Sequence, residues 1–200
     1  EIDVAVDVGG NVGETAFAWA LLLADARVYA IEPNPDSFAV LSRNLDPFHN
    51  TRAVQAAASD RAGKVSLAMP EDAQRVTKRY PAAIPTSLYS VYGKGEHRFE
   101  ADAVRLDDVI SDGERVGLIK FDVEGYEIEA LSGAARILKR DRPVAVVEIS
   151  ERNLSYSGRT GGEVFEFMAG IGYFAIERMS GHDFAFAHKD RIALKAIKVH

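Results

Sequence analysis

The chain contains no cysteine, which excludes disulfides, thiolate metal sites and cysteine nucleophiles. It lacks an excess of positive charge: Lys and Arg number 24 against 30 Asp and Glu, a formal net charge of −6. Such a field repels polyanions, so no nucleic-acid partner is expected. No uninterrupted apolar run approaches the roughly 20 residues that span a bilayer. Nor does a basic segment lead into an apolar one at the start, so a protein without a membrane partner, in the cytoplasm, is expected. Internal repeats, low-complexity tracts and shifts of composition are absent too. One domain over residues 1–200 is therefore expected, a length that suffices for one substantial core. The five histidines, His49, His97, His182, His188 and His200, show no close ligand spacing. The strand ending in Glu148-Ile149-Ser150 does not offer two adjacent oxygen ligands, so no metal is expected.

What is present is an alternation of short apolar runs and helical patterns. Val4 to Val8 predicts a strand that stops at Gly9-Gly10, and Glu14 to Leu23 a helix. Arg27 to Glu32 predicts a second strand, Asp36 to Leu45 a helix after the Pro33 to Pro35 break, and Arg52 to Ala58 a third strand. Val65 to Met69 and Ala101 to Leu106 predict short strands on either side of an irregular segment. Val116 to Asp122, the helix Tyr126 to Leu138 and the strand Pro143 to Ile149 follow. After a polar stretch at Ser150 to Gly162, a helix near Glu163 to Ala169 and strands at Tyr173 to Met179 and Arg191 to Val199 are predicted, the last two as an antiparallel pair. The order implies a parallel α/β sheet covered on both faces.

The turn after the first strand reads Asp7-Val8-Gly9-Gly10-Asn11-Val12-Gly13. Glycines at a strand-to-helix turn permit a tight bend and let a ligand approach the backbone, while the helix N-terminus offers free N–H groups. A dinucleotide turn would carry a middle glycine where Asn11 stands, and an acid at Asp7 suits a pyrophosphate poorly. The cationic amino group and sulfonium of S-adenosylmethionine suit that acid. Glu32 follows the second strand, where a carboxylate can accept both hydroxyls of a ribose. Asp60, in Ala58-Ser59-Asp60, stands after the third strand, within reach of an adenine amino group if the nucleoside crosses the strand ends. As a turn residue it also has an ordinary structural reading.

Together these stretches resemble the FkbM family of methyltransferases over nearly the whole chain. The resemblance rests on Val6 to Gly13, Ala30-Ile31-Glu32-Pro33, Ala58-Ser59-Asp60, Val104 to Asp108, Val147-Glu148-Ile149 and, most specifically, Ile119-Lys120-Phe121-Asp122-Val123-Glu124-Gly125-Tyr126-Glu127. The family pattern commonly has Ala at the positions of Gly10 and Tyr126. The resemblance implies a seven-stranded, Rossmann-like class I methyltransferase sheet with an antiparallel last strand. It also implies S-adenosylmethionine as donor and, usually, a hydroxyl acceptor on a small molecule, secondary metabolite or glycan.

The cofactor-binding set read here is Asp7, Gly9, Gly10, Asn11, Gly13, Glu32, Pro33, Ser59, Asp60 and Asp122. Ligands of open α/β sheets bind beyond the carboxyl ends of the strands, which brings Asp122, Glu124 and Glu148 toward the methyl-transfer site. Positioning supplies much of the acceleration in such a transfer, and a base removes the hydroxyl proton. Asp122, Glu124 and Lys120 are the candidate bases, Lys120 only if burial lowers its pKa; His97 is held in reserve. A pairing of Lys120 with Glu124 is the structural alternative. Residues 70–98 hold three prolines, a basic cluster at Arg75, Lys78 and Arg79, and the tyrosines Tyr80, Tyr89 and Tyr92. They are expected to form a lid or acceptor-binding segment. Competing readings are a nicotinamide-dependent oxidoreductase and a non-catalytic module on the same fold.

Overall fold

The computed structural model describes residues 2–68, 91, 98–179 and 181–196. Residues Met69, 70–90 and 92–97 fall outside the described residues, so the expected lid, its tyrosines and His97 are not placed.

Seven strands form the main sheet: β1 (Val4–Val8), β2 (Arg27–Ile31), β3 (Thr51–Val54), β7 (Val116–Phe121), β8 (Val144–Glu148), β9 (Tyr173–Arg178) and β10 (Asp183–His188). Their order is β3-β2-β1-β7-β8-β10-β9. Neighbours from β3 to β8 run parallel, while β10 is antiparallel to both β8 and β9. This is the mixed seven-stranded sheet that the resemblance implies. A second sheet, ordered β4-β6-β5, joins β4 (Ala57–Ala58), β5 (Gly63–Ala68) and β6 (Arg98–Val104).

The central strands are buried on both faces, as parallel strands under helices must be. Val4, Val6 and Val8 turn to one face and join Phe121, Leu131, Ile137, Val147 and Met168 in the larger core. Ala5 turns to the other and joins Ala16, Val28, Ala30 and Leu41 under α1 (Glu14–Leu22) and α2 (Pro35–Leu45). The small residues at Ala5, Ala16 and Ala30 bring these helices close to the sheet. Asp7 lies on this second face, in register with Lys120 of β7.

Three expectations are corrected. The third strand is split: β3 ends at Val54, the Ala56 N–H turns back onto the Val54 carbonyl at 3.1 Å, and Ala57–Ala58 pair with β6 in the other sheet. The helix expected at Tyr126 to Leu138 is two helices, α4 (Glu127–Gly133) and α5 (Ala135–Asp141), broken at Ala134. Just before the break Gly133 packs against the Ser59 carbonyl, where a Cβ would lie 1.9 Å from that oxygen. The strand expected at Arg191 to Val199 is instead the helix α8 (Lys189–Ala196), and the antiparallel partner of β9 is Asp183–His188. Phe184 and Phe186 of that strand pack on Phe165, with ring centroids 5.2 and 5.5 Å away. Phe165 belongs to α7 (Gly161–Gly170), which is closed by a capping box between Thr160 and Glu163. Two short helices were not expected, α3 (Leu106–Val109) and α6 (Glu151–Ser155). Asp107, part of the family-like stretch, sits in α3 and accepts the backbone N–H groups of Arg136 and Ile137 at 3.0 and 3.1 Å, which anchors the start of α5.

Candidate active site

The carboxyl ends of β1, β2, β7 and β8 surround a cavity of about 220 Å³. Its formation begins at the glycine turn. The N–H groups of Gly9 and Gly10 both donate to the Ile31 carbonyl at 2.9 and 3.0 Å, strapping the end of β1 to the end of β2. Gly9 has φ +82°, and a Cβ on it would sit 1.7 Å from the Asp122 carbonyl, so only glycine lets β1 and β7 end side by side. Gly10 leaves room for Leu41, whose Cδ1 would be 2.8 Å from an added Cβ. The common family alanine would therefore need Leu41 to shift. Gly13 begins α1 with a left-handed backbone. Asn11 is also left-handed at φ +48°, an unusual conformation for a residue with a side chain that turns its N–H toward Glu32.

Glu32 is the hub of this side. Its Oε2 accepts the Asn11 N–H and its Oε1 the Asn34 N–H, both at 2.8 Å. Asn34 in turn caps α2 by accepting the Asp36 N–H, with Pro35 opening the helix. Burial and the nearby Asp7 and Asp122 charges raise the Glu32 pKa to about 7, against the two amide donors that lower it. Two amides use two of a carboxylate's four lone-pair directions, so acceptor capacity remains for a ligand. Asp7 is buried behind the turn, and neither of its carboxylate oxygens has a hydrogen-bond partner of good geometry. Burial raises it to about 6, opposed by Lys120 and by the Ala16 amide it faces.

On the other side, Lys120 pairs with Asp122 at 2.7 Å rather than with Glu124. Burial alone would lower the lysine's pKa, but Asp122, Asp7 and Asp183 together raise it. The condition on which Lys120 would serve as a base, a pKa lowered by burial, is therefore not met in this arrangement. Glu124 projects from a left-handed residue, φ +54°, followed by Gly125 at φ +96°. Burial pushes it up to about 8, helped by Glu148, Asp122 and Glu127 and opposed by Arg152. Glu148, at the end of β8, rises to about 7 by burial and by Asp122, Glu127 and Asp183. Glu127, at the start of α4, is fully buried; burial lifts it to about 7 against the Gly125, Glu127 and Val123 amides.

The lining consists of Val8, Gly9, Asn11, Ile31, Glu32, Pro33, Asn34, Ala56, Ala57, Ala58, Leu67, Val91, Asp122, Val123, Glu124, Tyr126 and Glu148. Thus Gly9, Asn11, Glu32, Pro33, Asp122 and Glu124 are brought together as expected. Asp7, Gly10 and Gly13 support the turn from behind. Ser59 and Asp60 are not among the lining residues: Ser59 shares a 3.1 Å hydroxyl contact with Tyr126, and Asp60 lies 3.5 Å from Arg61. The wall there is made by Ala56–Ala58 instead. Sequence reading also missed Asn34 and Leu67, while Val91 falls within the 70–98 segment; the run of three alanines was the one visible signal of a slot with small walls. Four carboxylates and no Lys, Arg or His line the cavity among the described residues. The same residues contain no group of three His, Asp or Glu arranged to hold a metal ion. This donor set fits a cationic nucleoside: acids for hydroxyl and ammonium groups, apolar walls for a flat ring, and the buried Asp7 carboxyl beneath, whose oxygens have no hydrogen-bond partner of good geometry.

The fold is that of class I, S-adenosylmethionine-dependent methyltransferases. A methyltransferase FkbM structure from Methylobacillus flagellatus superposes with a TM-score of 0.61 at 17% identity, over 94% of this chain and 44% of that one. A fibrillarin/Nop5p complex gives 0.55 at 14%, over 93% and 72%. The model of the methyltransferase FkbM domain matches residues 7–175, and the chain belongs to that family of S-adenosylmethionine-dependent enzymes. It is similar to the hexuronic acid methyltransferase AglP of Haloferax volcanii, 29% identical over 70% of this chain and 53% of that protein. It is similar also to the 2-O-methyltransferase NoeI of Sinorhizobium fredii, 27% over 78% and 66%. To the 31-O-demethyl-FK506 methyltransferase FkbM of Streptomyces tacrolimicus it is 30% identical over 66% and 59%. The chain spans about half to two thirds of the length of these relatives. Among the described residues no helix is long and apolar enough to cross a membrane.

Proposed function

We propose that the chain transfers a methyl group from S-adenosylmethionine to a hydroxyl oxygen of a sugar or small metabolite, with Glu124 as the base. The observation that carries this reading is that every charged residue lining the cavity among the described residues is acidic, which favours a cation and disfavours the pyrophosphate of a nicotinamide dinucleotide. The three relatives named above, each a methyltransferase and two of them acting on oxygen, support the acceptor class. When bound, S-adenosylmethionine supplies an electrophilic methyl on a sulfonium.

Glu32, with the Asn11 amide beside it, would hold the ribose hydroxyls, and Ala56–Ala58 with Leu67 would flank the adenine. Asp122, fixed by Lys120, would face the amino-acid portion. Glu124 then takes the hydroxyl proton: a carboxyl with a pKa near the working pH is a stronger base than an ordinary glutamate and is still ionised often enough to act. Residues 70–98 remain the expected source of acceptor selectivity.

The test has two readouts. S-adenosylhomocysteine should raise the melting temperature while NAD and NADP do not, and stabilisation by NAD alone would sink the reading. Methyl transfer from labelled S-adenosylmethionine to a panel of methyl glycosides and macrolide alcohols should fall about 10²–10⁴-fold in Glu124→Gln, with S-adenosylhomocysteine affinity retained. Undiminished turnover removes Glu124 as the base.

A further inference from the structure

Behind Glu124 and Glu148 lies a residue outside the cavity wall. Asn153, in the middle of α6, turns its side-chain amide toward both carboxylates: Nδ2 donates to Glu124 Oε2 at 2.6 Å and approaches Glu148 Oε2 at 3.4 Å. The first is a short, charge-assisted bond, the second marginal. Its backbone is committed as well. Gly125 sits against the Asn153 carbonyl so closely that a Cβ would be 2.4 Å from the oxygen. The Glu124–Gly125 bend, with two consecutive positive φ angles, is thus seated on α6 by a hydrogen bond on one side and backbone contact on the other. Left-handed backbone at a residue with a Cβ persists only where its surroundings hold it. The start of α6 is fixed in turn by Ser150, whose hydroxyl caps it through the Asn153 N–H.

We propose that Asn153 is a positioning residue, the tether that holds the Glu124 carboxylate at the acceptor end of the cavity and keeps it apart from Glu148. This rests on the reading of Glu124 as the base. An amide is suited to the task because its NH₂ has two hydrogens and can serve two carboxylates, and because it stays neutral while they titrate. A lysine there would pair with Glu124 and depress its basicity; an aspartate would add a further negative charge. The groups facing Glu124 are Glu148 from β8, Asp122 from the end of β7, Glu127 from α4 and Arg152 from α6. Arg152 opposes the three acids, and the 2.6 Å donor from Asn153 favours the ionised form that a base requires. Its removal moves the Glu124 midpoint upward.

The deciding measurement needs no acceptor. Carboxyl-labelled glutamate, followed by carbon NMR against pH in the full chain, reports the Glu124 midpoint, with Glu124→Gln assigning the signal. Asn153→Ala should raise that midpoint by about half a pH unit or more, and Asn153→Gln, which keeps the NH₂, should recover most of the change. The side-chain NH₂ resonances of Asn153 should themselves titrate with Glu124 in the wild-type chain. An unchanged midpoint in a folded Asn153→Ala variant overturns the tether. So does an equal rise in the Gln variant, which would assign the effect to packing alone. Failure of the base reading is separate, because it is read from turnover of Glu124→Gln and not from these titrations.

Discussion

Glu32 and Glu124 line the same cavity and carry the same side chain, yet the fold treats them differently. Glu32 follows a strand directly, and two backbone amides hold its two oxygens. Glu124 stands on a left-handed bend among Asp122, Glu127 and Glu148, and it accepts from a side chain, that of Asn153 on another helix. Amides built into the β1–α1 and β2–α2 turns cannot move without unravelling those turns. Ligand recognition at the Glu32 end is therefore set when the chain folds. Proton affinity at the Glu124 end depends on a balance of like charges, which a single substitution can tip. Under the proposed function, this gives a rigid half for holding and a tunable half for proton transfer, the division that positioning and base catalysis require of one cleft.

The largest change expected on the Glu32 side is from Glu32→Ala, which removes any ligand contact and leaves the Asn11 and Asn34 amides without their carboxylate. Affinity for S-adenosylhomocysteine should fall by about 1.5–3 kcal/mol, roughly 10- to 150-fold, as measured by calorimetry. A folded variant with wild-type affinity would break the contrast, since Glu32 would then serve the turn alone.

A subtler test separates the two halves by pH. Every raised carboxyl binds its proton more tightly in the folded chain than in the unfolded one. Stability of the ligand-free chain therefore falls as pH rises between the unfolded and folded values. For Asp7 that window runs from about 4 to about 6, and for Glu124 from about 4.3 to about 8. Urea titrations at stepped pH should show declining stability from pH 5 to 8. Asp7→Asn should flatten the part below 6, and Glu124→Gln should flatten the part that extends toward 8. Identical slopes in both variants would contradict the separation.

The smallest effect is predicted for Tyr126→Phe, which removes the hydroxyl contact with Ser59. A loss of about 0.5–1.5 kcal/mol is expected in urea unfolding, with cofactor affinity little changed. A tenfold loss of affinity would show that this hydroxyl reaches the ligand.

The rigid half was the more legible in sequence. Gly9, Asn11 and Glu32 are local to strand ends, and strand-turn-helix chemistry can be read over a few residues. The other half depends on residues far apart in the chain. Asn153 reaches Glu124 across 29 positions from a helix inside what reads as a polar connector. The β10 strand was hidden because Ala185 and Ala187, though buried, are too small to mark a period-two face, while Ile192 and Leu194 in the next segment suggested one. The role of Lys120 stayed open in sequence because burial and neighbouring charge act on it in opposite directions, and only geometry supplies their relative weight.

The three-stranded sheet has one more consequence. β5 and β6 are antiparallel neighbours whose register reaches Ala68↔Arg98, so the two ends of the interval between those residues lie at one pair of adjacent backbone positions. Such a junction is a natural graft point. Exchanging the interval for one of twice the length adds only about 0.6 kcal/mol of closure entropy and disturbs no strand of the main sheet. Val91, within the interval, lines the cavity, so transplants at this junction bring new side chains to the site without rebuilding the Glu32 clamp.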